Sequence, residues 1–203
     1  MNSNQTKSTL VLLRHAERPL IPSHSFGNYL SITQKGKIAS FNYGKKIGSH
    51  LHAVHSSPVK RCIETALSII EGSNKNITVI PNTLLGDPGA FIFDEKLAGE
   101  NWKLYGHDGV CERLFFSDEP MKGFYPPEMA TNNLYNQMIT HLPPKGKTTL
   151  FITHDIIIAT LAVRILRLKH FENFWPEYLA GPKLYCNEGK IELNYKGFIY
   201  VNA

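Results

Sequence analysis

The chain has 203 residues, of which 42% are hydrophobic and 11% aromatic, a composition typical of a globular domain. No apolar run approaches the roughly 20 residues that a membrane-spanning helix needs. The polar residues 1–8 also lack the apolar core of a secretory signal. We therefore expect one soluble, cytoplasmic domain over residues 1–203 that does not associate with a membrane.

The net charge of +5 comes from scattered lysines and not from one dense basic block. Such a charge suits a phosphorylated small molecule or a phosphoprotein as well as nucleic acid, so charge alone does not choose between them. Because the tryptophans and tyrosines suit a core better than a base-stacking platform, we expect no nucleic-acid partner. The oligomeric state is not indicated.

Cysteine usage and motif content limit the choice of cofactors. Cys62, Cys111 and Cys186 are odd in number and form no CxxC pair, which argues against a disulfide framework or a zinc site. His50, His52 and His55 lack a nearby carboxylate or cysteine at ligand spacing, so we interpret them as ordinary surface or loop histidines. The absence of a GxxxxGKS loop argues against ATP chemistry. We therefore expect neither a metal nor a cofactor.

The first strongly patterned segment is the sequence TLVLLRHAERP, residues 9–19. Residues 10–13 form a short apolar run, which is typical of a strand buried on both faces. Arg14, His15 and Arg18 follow at its carboxyl end, where open parallel sheets bind ligands. These residue types suit an anion and a nucleophile.

The next segments predict alternating helices and strands. Residues 20–32 form a loop, and Thr33 caps a helix running to about residue 50 with Ile38, Phe41, Ile47 and Leu51 facing inward. A second strand covers 51–55. In the sequence SSPVKRCIETA, Ser57 as N-cap and Pro58 as first helical residue begin a second helix, whose first turns contain Arg61. Its predicted apolar face is Cys62, Ile63, Ala66, Leu67 and Ile70.

The second half of the chain predicts a further strand and helix like the first pair. A third strand covers 77–80, and residues 84–125 form an irregular excursion interrupted by glycine and proline. A helix over 126–141 and a strand over 148–153 follow, and His154 and Asp155 precede an apolar helix over 156–167. A hairpin signal at 187–189 adds antiparallel strands. The pattern predicts an α/β fold with a mostly parallel central sheet and helices on both faces.

Two strand ends thus present His15 and His154, on which Arg14, Arg18 and Arg61 can converge. Guanidinium groups bind phosphate oxygens bidentately and stay charged at any working pH. An imidazole among them can attack phosphorus and form a phosphohistidine, which divides a slow hydrolysis into two steps.

Four motifs in this order resemble those of the histidine phosphatase superfamily, which contains phosphoglycerate-mutase-like and histidine-acid-phosphatase-like enzymes. RHAERP is similar to the signature RHGxRxP, with Ala16 in place of the usual glycine. LSITQKG resembles LTxxG, SSPVKRCIETA resembles SSPxxRxxxTA, and THD resembles the second-histidine motif. The resemblance implies a three-layer, phosphoglycerate-mutase-like sandwich. It implies that His15 accepts the phosphoryl group, that Arg14, Arg18 and Arg61 bind phosphate, and that His154 orients the phosphoryl oxygens.

The resemblance leaves two choices of proton donor. The acid-phosphatase-like branch uses the aspartate that follows the second histidine, here Asp155. The mutase-like branch uses a carboxylate after the third strand, where Asp87 is the reserve and Asp94 and Glu95 lie further on. Asp155 is the first choice, although aspartate is also a good helix N-cap.

The function expected from these residues is metal-independent hydrolysis of a phosphomonoester through a phosphohistidine on His15. One alternative is a phosphoglycerate-type phosphomutase, which returns the phosphoryl group to a second hydroxyl. Another is a phosphate-binding module without turnover, although a pure binder needs no nucleophile.

Overall fold

A computed structural model describes residues 7–22, 25, 27–170 and 174–202. Most of the polar segment 1–8 therefore lies outside the described residues, as do residues 23, 24 and 26 of the predicted loop 20–32. Within the described ranges, no helix has both the length and the apolar character needed to cross a bilayer.

The centre of the fold is a seven-stranded sheet with the order β3-β2-β4-β1-β5-β6-β7. The four strands from β3 to β1 are parallel, and β5, β6 and β7 continue the sheet in antiparallel fashion. The hairpin signal thus correctly predicts antiparallel strands, although there are three of them. The strands are β1 Ser8–Arg14, β2 Leu51–Ser56, β3 Val79–Pro81, β4 Thr148–Thr153, β5 Lys183–Asn187, β6 Lys190–Tyr195 and β7 Phe198–Asn202.

Helices cover both faces of this sheet. The helices α1 (Gln34–Ile47) and α2 (Lys60–Ser73) lie on one face, and α3 (Glu95–Phe116), α4 (Pro127–Ile139) and α5 (Asp155–Ile165) lie on the other. The apolar run of β1 serves both layers, because Leu10 and Leu12 join the core under α3, α4 and α5 while Val11 and Leu13 join the core under α2. The predicted three-layer α/β sandwich is confirmed. That it is a single domain stays a prediction.

The register of β1 and β4 positions the candidate site. Arg14 pairs with Thr153, and the backbone N–H of His15 donates to the carbonyl of Thr153 at 2.9 Å. The residues that follow the two strands, His15 and His154, therefore emerge side by side at one edge of the sheet.

The inward face predicted for the first helix is only partly correct: Ile47 and Leu51 pack in the core on this side of the sheet, but Ile38 does not. Thr33 caps α1 as expected, but Gly36, Ser40 and Gly44 are buried, whereas Ile38 is 54% exposed. A β-carbon at Gly44 would lie 2.0 Å from the carbonyl oxygen of Ile69, so α1 and α2 touch backbone to backbone. Small residues make this approach possible, and hydrophobic periodicity does not detect it.

The predicted start of the second helix is wrong. The N-cap of α2 is Val59, and Lys60 is the first helical residue, so neither Ser57 nor Pro58 has the predicted position. Ser57 still accepts from the backbone N–H of Val59 at 3.3 Å. On the predicted apolar face, Leu67 is 55% exposed.

The expectation that residues 84–125 are irregular needs correction, because α3 lies within them. This helix bends at Gly106, whose φ of 66° lies in the left-handed region that favours glycine. Ala98, Val110 and Leu114 nevertheless bury one face of the helix in the core. Gly99, Gly106 and Gly109 are therefore accommodated within a kinked helix, whereas Gly86, Gly89 and Gly123 lie outside it.

Candidate active site

His15 is held as a neutral imidazole with one defined tautomer. Its Nδ1 lies 2.7 Å from the carbonyl oxygen of Ala16, an atom that can only accept, so Nδ1 carries the proton. Burial, partly offset by this hydrogen bond, lowers the pKa of His15 to about 3, and the neighbouring arginines contribute to the shift. Nε2 is therefore unprotonated at neutral pH, and its one lone pair accepts a hydrogen bond from Arg61.

Arg61 lies between the two histidines and is only 7% exposed. Its Nε donates to Nε2 of His15 at 3.1 Å, and its Nη2 lies 3.0 Å from Nδ1 of His154. The third nitrogen, Nη1, donates to the carbonyl of Gly27 at 2.9 Å. One guanidinium group thus fixes both rings, whose centroids are 5.5 Å apart.

His154 has the opposite tautomer from His15. Because its Nδ1 accepts from Arg61, its Nε2 carries the proton and donates to the Ser57 hydroxyl at 3.1 Å. Burial and the adjacent Arg61 hold the pKa of His154 well below its usual range. His154 is thus a neutral imidazole whose one N–H donates to Ser57 in this structure.

Arg14 connects the end of β1 to the start of α5. Its Nη2 lies 2.6 Å from Oδ2 of Asp155, its Nη1 donates to the carbonyl of Pro176 at 2.8 Å, and its guanidinium lies 4.1 Å from the ring centre of Tyr178. The group is therefore fixed on three sides.

Two guanidinium nitrogens at this edge have unused hydrogen-bonding capacity. The Nε atoms of Arg14 and Arg18 are buried and have no hydrogen-bond partner among the described residues. Buried N–H groups are nearly always paired in folded proteins. Of the two residues, only Arg18 lines the cavity beside His15, so its unpaired N–H is the one placed to bind an anion there.

The structure separates the four candidate acids. Asp155, Asp87 and Glu95 line the cavity that contains His15 and His154. Asp94 instead caps α3, with its carboxylate accepting from the backbone N–H of Leu97 at 3.0 Å. The carboxylate of Asp155 also accepts a hydrogen bond from the backbone N–H of Ile156 at 3.0 Å. Asp155 therefore contacts the first turn of α5 in addition to its ion pair with Arg14.

The cavity has a volume of about 250 Å³ and is lined by two kinds of residue. The strand ends contribute His15 and His154, and α2 contributes Arg61. The helix α3 and the loop before it contribute mostly apolar groups such as Phe91 and Trp102. Arg18 also lines the cavity, whereas Arg14, the ion-pair partner of Asp155, is not among the described lining residues.

Three site residues were not identified from the sequence in their observed roles. Ser57 was interpreted as a cap and instead orients His154, and Tyr178 stacks on Arg14. Gly86 allows its loop to approach, since a β-carbon there would lie 2.5 Å from the His154 ring and 2.7 Å from the Ser57 hydroxyl. The SSP motif offered a signal for Ser57, but no pattern pointed to Tyr178.

No group of three or more histidine, cysteine or acidic residues suited to a metal ion occurs in the described part of the chain. His55, interpreted as a surface or loop residue, is buried in β2, and its ring stacks on Phe151 at 4.8 Å with His141 at 4.4 Å. The three cysteines are free thiols.

Comparison of the sequence with protein-family models and with curated proteins found no match. Comparison of the structure with solved structures did. A mycobacterial glucosyl-3-phosphoglycerate phosphatase matches with a TM-score of 0.62 at 14% identity, over 95% of this chain and 99% of that one.

Two further structures match over similar lengths. Phosphoglycerate mutase from Bacillus anthracis has a TM-score of 0.60 at 18% identity, covering 100% of this chain and 95% of the mutase. A phosphoserine phosphatase mutant from Entamoeba histolytica, in complex with phosphoserine, has a TM-score of 0.60 at 15% identity, over 92% and 95% of the two chains. The chain therefore has the fold of the histidine phosphatase superfamily, as its four motifs predicted.

Proposed function

We propose that this protein is a metal-independent phosphatase that hydrolyses a phosphomonoester through a phosphohistidine on His15. The observation that carries the proposal is the pair of hydrogen bonds from Arg61 to Nε2 of His15 at 3.1 Å and to Nδ1 of His154 at 3.0 Å. These bonds hold a neutral nucleophile, a second hydrogen-bond donor and a fixed positive charge within one cluster. A binding module would gain nothing from a nucleophile in this position.

In the first step, the Nε–H of Arg61 turns from Nε2 of His15 to a phosphoryl oxygen. The freed Nε2 attacks phosphorus while the bond from phosphorus to the alcohol oxygen breaks. Arg18 and Arg61, which line the cavity, bind the phosphoryl oxygens, and Arg14 adds its positive charge from outside the lining. The Nε2–H of His154 turns from the Ser57 hydroxyl to one of these oxygens.

The departing alcohol oxygen takes a proton from a carboxylic acid. Asp155 is a carboxylate in its ion pair with Arg14, so it first takes this proton from the monoanionic phosphate ester as the ester binds. Asp155 is the proposed donor because it lines the same cavity and immediately follows His154, with Asp87 as the reserve.

In the second step, water attacks the phosphorus of the phosphohistidine and the bond to Nε2 breaks. The carboxylate that gave up its proton takes one from this water, which regenerates the acid and releases inorganic phosphate. The Nδ1–H bond from His15 to the Ala16 carbonyl offsets positive charge on the imidazole while the phosphoryl group is attached.

The comparisons support a phosphoryl-transfer enzyme because the structures with this fold include phosphatases as well as a phosphoglycerate mutase. The proposed partner is a phosphorylated small molecule or phosphoprotein, and neither nucleic acid nor a membrane is part of the proposal. We also propose that the protein is cytoplasmic, which the free thiols of Cys62, Cys111 and Cys186 support.

The test is phosphate release from 4-nitrophenyl phosphate in the presence of EDTA, with wild type and His15→Ala. We expect release by the wild type and a loss of at least about 10³-fold in the variant, because the nucleophile is gone. Phosphoryl transfer to an added alcohol, or to a second hydroxyl of the substrate, without phosphate release would support the mutase instead. Phosphate binding without turnover across several esters would support a binding module.

A further inference from the structure

The cavity beside His15 combines a polar cluster with an extensive apolar surface. His15, Arg61 and His154 come from the strand ends and α2. The loop before α3, together with α3 itself, adds Phe91, Ile92 and Trp102, and Phe124 packs against Trp102 with ring centres 5.3 Å apart. Val59, Leu114, Ile156 and Ile157 extend the apolar lining.

The distribution of charge around the cavity disfavours a second anionic group on the substrate. Among the described lining residues, Arg18 and Arg61 are the only lysine or arginine side chains, and both belong to the proposed phosphate site. The remaining charged side chains of the lining are the carboxylates Asp87, Glu95 and Asp155. A carboxylate on the substrate would therefore lose its hydration without gaining a cationic partner of its own.

The size of the cavity favours a small alcohol. Its volume of about 250 Å³ lies below the roughly 300 to 1,000 Å³ typical of ligand sites. A phosphoryl group and one ring or a short branched chain would fill the enclosed part of this space, which also opens to solvent.

From these three observations we infer that the substrate is the phosphate monoester of a compact apolar alcohol, with no charge other than that of the phosphate. The apolar group packs against Phe91, Ile92 and Trp102 while the phosphoryl group lies among the histidines and arginines. This inference rests on the proposed function and narrows it, because it excludes phosphoglycerate, other carboxylated esters and phosphoproteins.

The wild-type protein tests the inference through a panel of alkyl esters, with kcat/KM for phosphate release as the readout. The panel is 2-phenylethyl phosphate, glycerol 1-phosphate, 3-phosphoglycerate and a phosphoserine peptide. We expect 2-phenylethyl phosphate to exceed each of the others by about 100-fold, since burying a ring from water favours binding substantially. Equal or better hydrolysis of glycerol 1-phosphate, 3-phosphoglycerate or the peptide would overturn the inference.

A variant pair on α3 tests which surface provides the preference. Trp102 is half-buried and lines the cavity, whereas Leu104 on the same helix is 71% exposed and does not line it. We expect Trp102→Gln to lower the ratio of kcat/KM for 2-phenylethyl phosphate over glycerol 1-phosphate by about 10-fold, and Leu104→Gln to leave the ratio unchanged. An unchanged ratio in folded Trp102→Gln would contradict the assignment of this wall.

Circular dichroism checks that both variants fold. If Trp102→Gln does not fold, Ile92→Thr makes the same test, because Ile92 is a half-buried member of the same wall. The comparison of the four esters uses only the wild-type protein, so it tests the inference even if neither variant folds.

Failure of this inference is distinguishable from failure of the proposed function. If 4-nitrophenyl phosphate is hydrolysed through His15 but the alkyl panel shows no apolar preference, only the substrate class is wrong. If no ester is hydrolysed and no phosphoenzyme forms, the proposed function is wrong and the substrate class is wrong with it.

Discussion

Arg14 and Asp155 form an ion pair of 2.6 Å that joins the last residue of β1 to the first residue of α5. The side chains retain only 10% and 21% of their exposure, so the contact is largely shielded from solvent. His15 and His154 are the chain neighbours of this pair. The ion pair therefore connects the proposed proton donor directly to the strand ends that hold the proposed nucleophile.

Replacing Asp155 tests its role as the acid. We expect Asp155→Asn to lower kcat/KM for 2-phenylethyl phosphate by about 10² to 10⁴-fold, because an alkoxide is a poor leaving group without a proton. The same variant should lose much less on 4-nitrophenyl phosphate, whose leaving group needs little help.

Asp87→Asn and Glu95→Gln are the matched controls for this measurement, since both residues line the same cavity. Asp155 is the wrong donor if its variant keeps full activity on the alkyl ester while either control loses it. An equal loss on both esters would indicate that Asp155 acts by positioning Arg14.

Arg61 should be replaceable neither by alanine nor by lysine. Its three hydrogen bonds to His15, His154 and Gly27 need the shape of a guanidinium group, which the single ammonium of lysine does not provide. We expect both variants to lower kcat/KM for 4-nitrophenyl phosphate by about 10² to 10³-fold and to weaken inhibition by inorganic phosphate.

Lys60→Ala is the control, because Lys60 precedes Arg61 in α2 and its side chain is 55% exposed. It should retain wild-type activity. Full rescue by Arg61→Lys would contradict the view that geometry, and not charge alone, makes Arg61 essential.

Gly86 should not tolerate a side chain. A β-carbon there would meet the His154 ring at 2.5 Å, and its φ of 139° disfavours other residues. Since a displacement of about 1 Å at a reacting group can cost about 10²-fold, we expect Gly86→Ala to lower kcat/KM by that order.

Gly99→Ala provides the comparison, because a β-carbon at Gly99, within α3, would meet no atom within 4 Å. We expect this variant to be as stable as wild type or more stable, by up to about 1 kcal/mol. Equal activity of Gly86→Ala and wild type would show that the loop does not position His154.

Acid should destabilise the fold through its buried histidines. Burial and the facing His141 lower the pKa of His55 from 6.5 to about 4. Between these two values the unfolded chain binds more protons, so stability is fully present above pH 6.5 and is lost as the pH falls toward 4. His55 alone should contribute a loss of up to about 2 kcal/mol between pH 6.5 and 5.

Urea denaturation of wild type, His55→Phe and His52→Gln at several pH values measures this loss. His55→Phe should show a weaker pH dependence of the free energy of unfolding, and His52→Gln, on the same strand but exposed, should behave as wild type. Identical pH dependence in all three proteins would contradict the buried neutral state of His55.

The sequence was sufficient for the parts of the fold that follow hydrophobic patterning. The apolar run of β1 and the strand at β4 were predicted correctly, and the four motifs indicated the observed fold. Contacts between backbones were not predictable in this way. Gly44 can contact the backbone of Ile69, and Gly86 can approach the His154 ring, because neither glycine has a side chain. Hydrophobic periodicity therefore cannot predict either contact.

The hydrogen-bond partners of the site residues could not be predicted from the sequence either. Ser57 followed by Pro58 is a strong helix-start pattern, but the helix begins at Lys60 and the hydroxyl faces His154 instead. Such choices depend on which partners the tertiary structure supplies. The tautomers of His15 and His154 follow from those partners and could be assigned only from the atomic positions.

The central claim is that Nε2 of His15 carries the phosphoryl group during turnover. Rapid acid-free quenching of wild type with a ³²P-labelled ester, followed by peptide mapping, measures it most directly. We predict a phosphoenzyme that is labile to acid and stable to base, located on the peptide that contains His15, and absent from His15→Ala. Turnover by the wild type with no trapped phosphohistidine, or with label on another residue, would contradict the account.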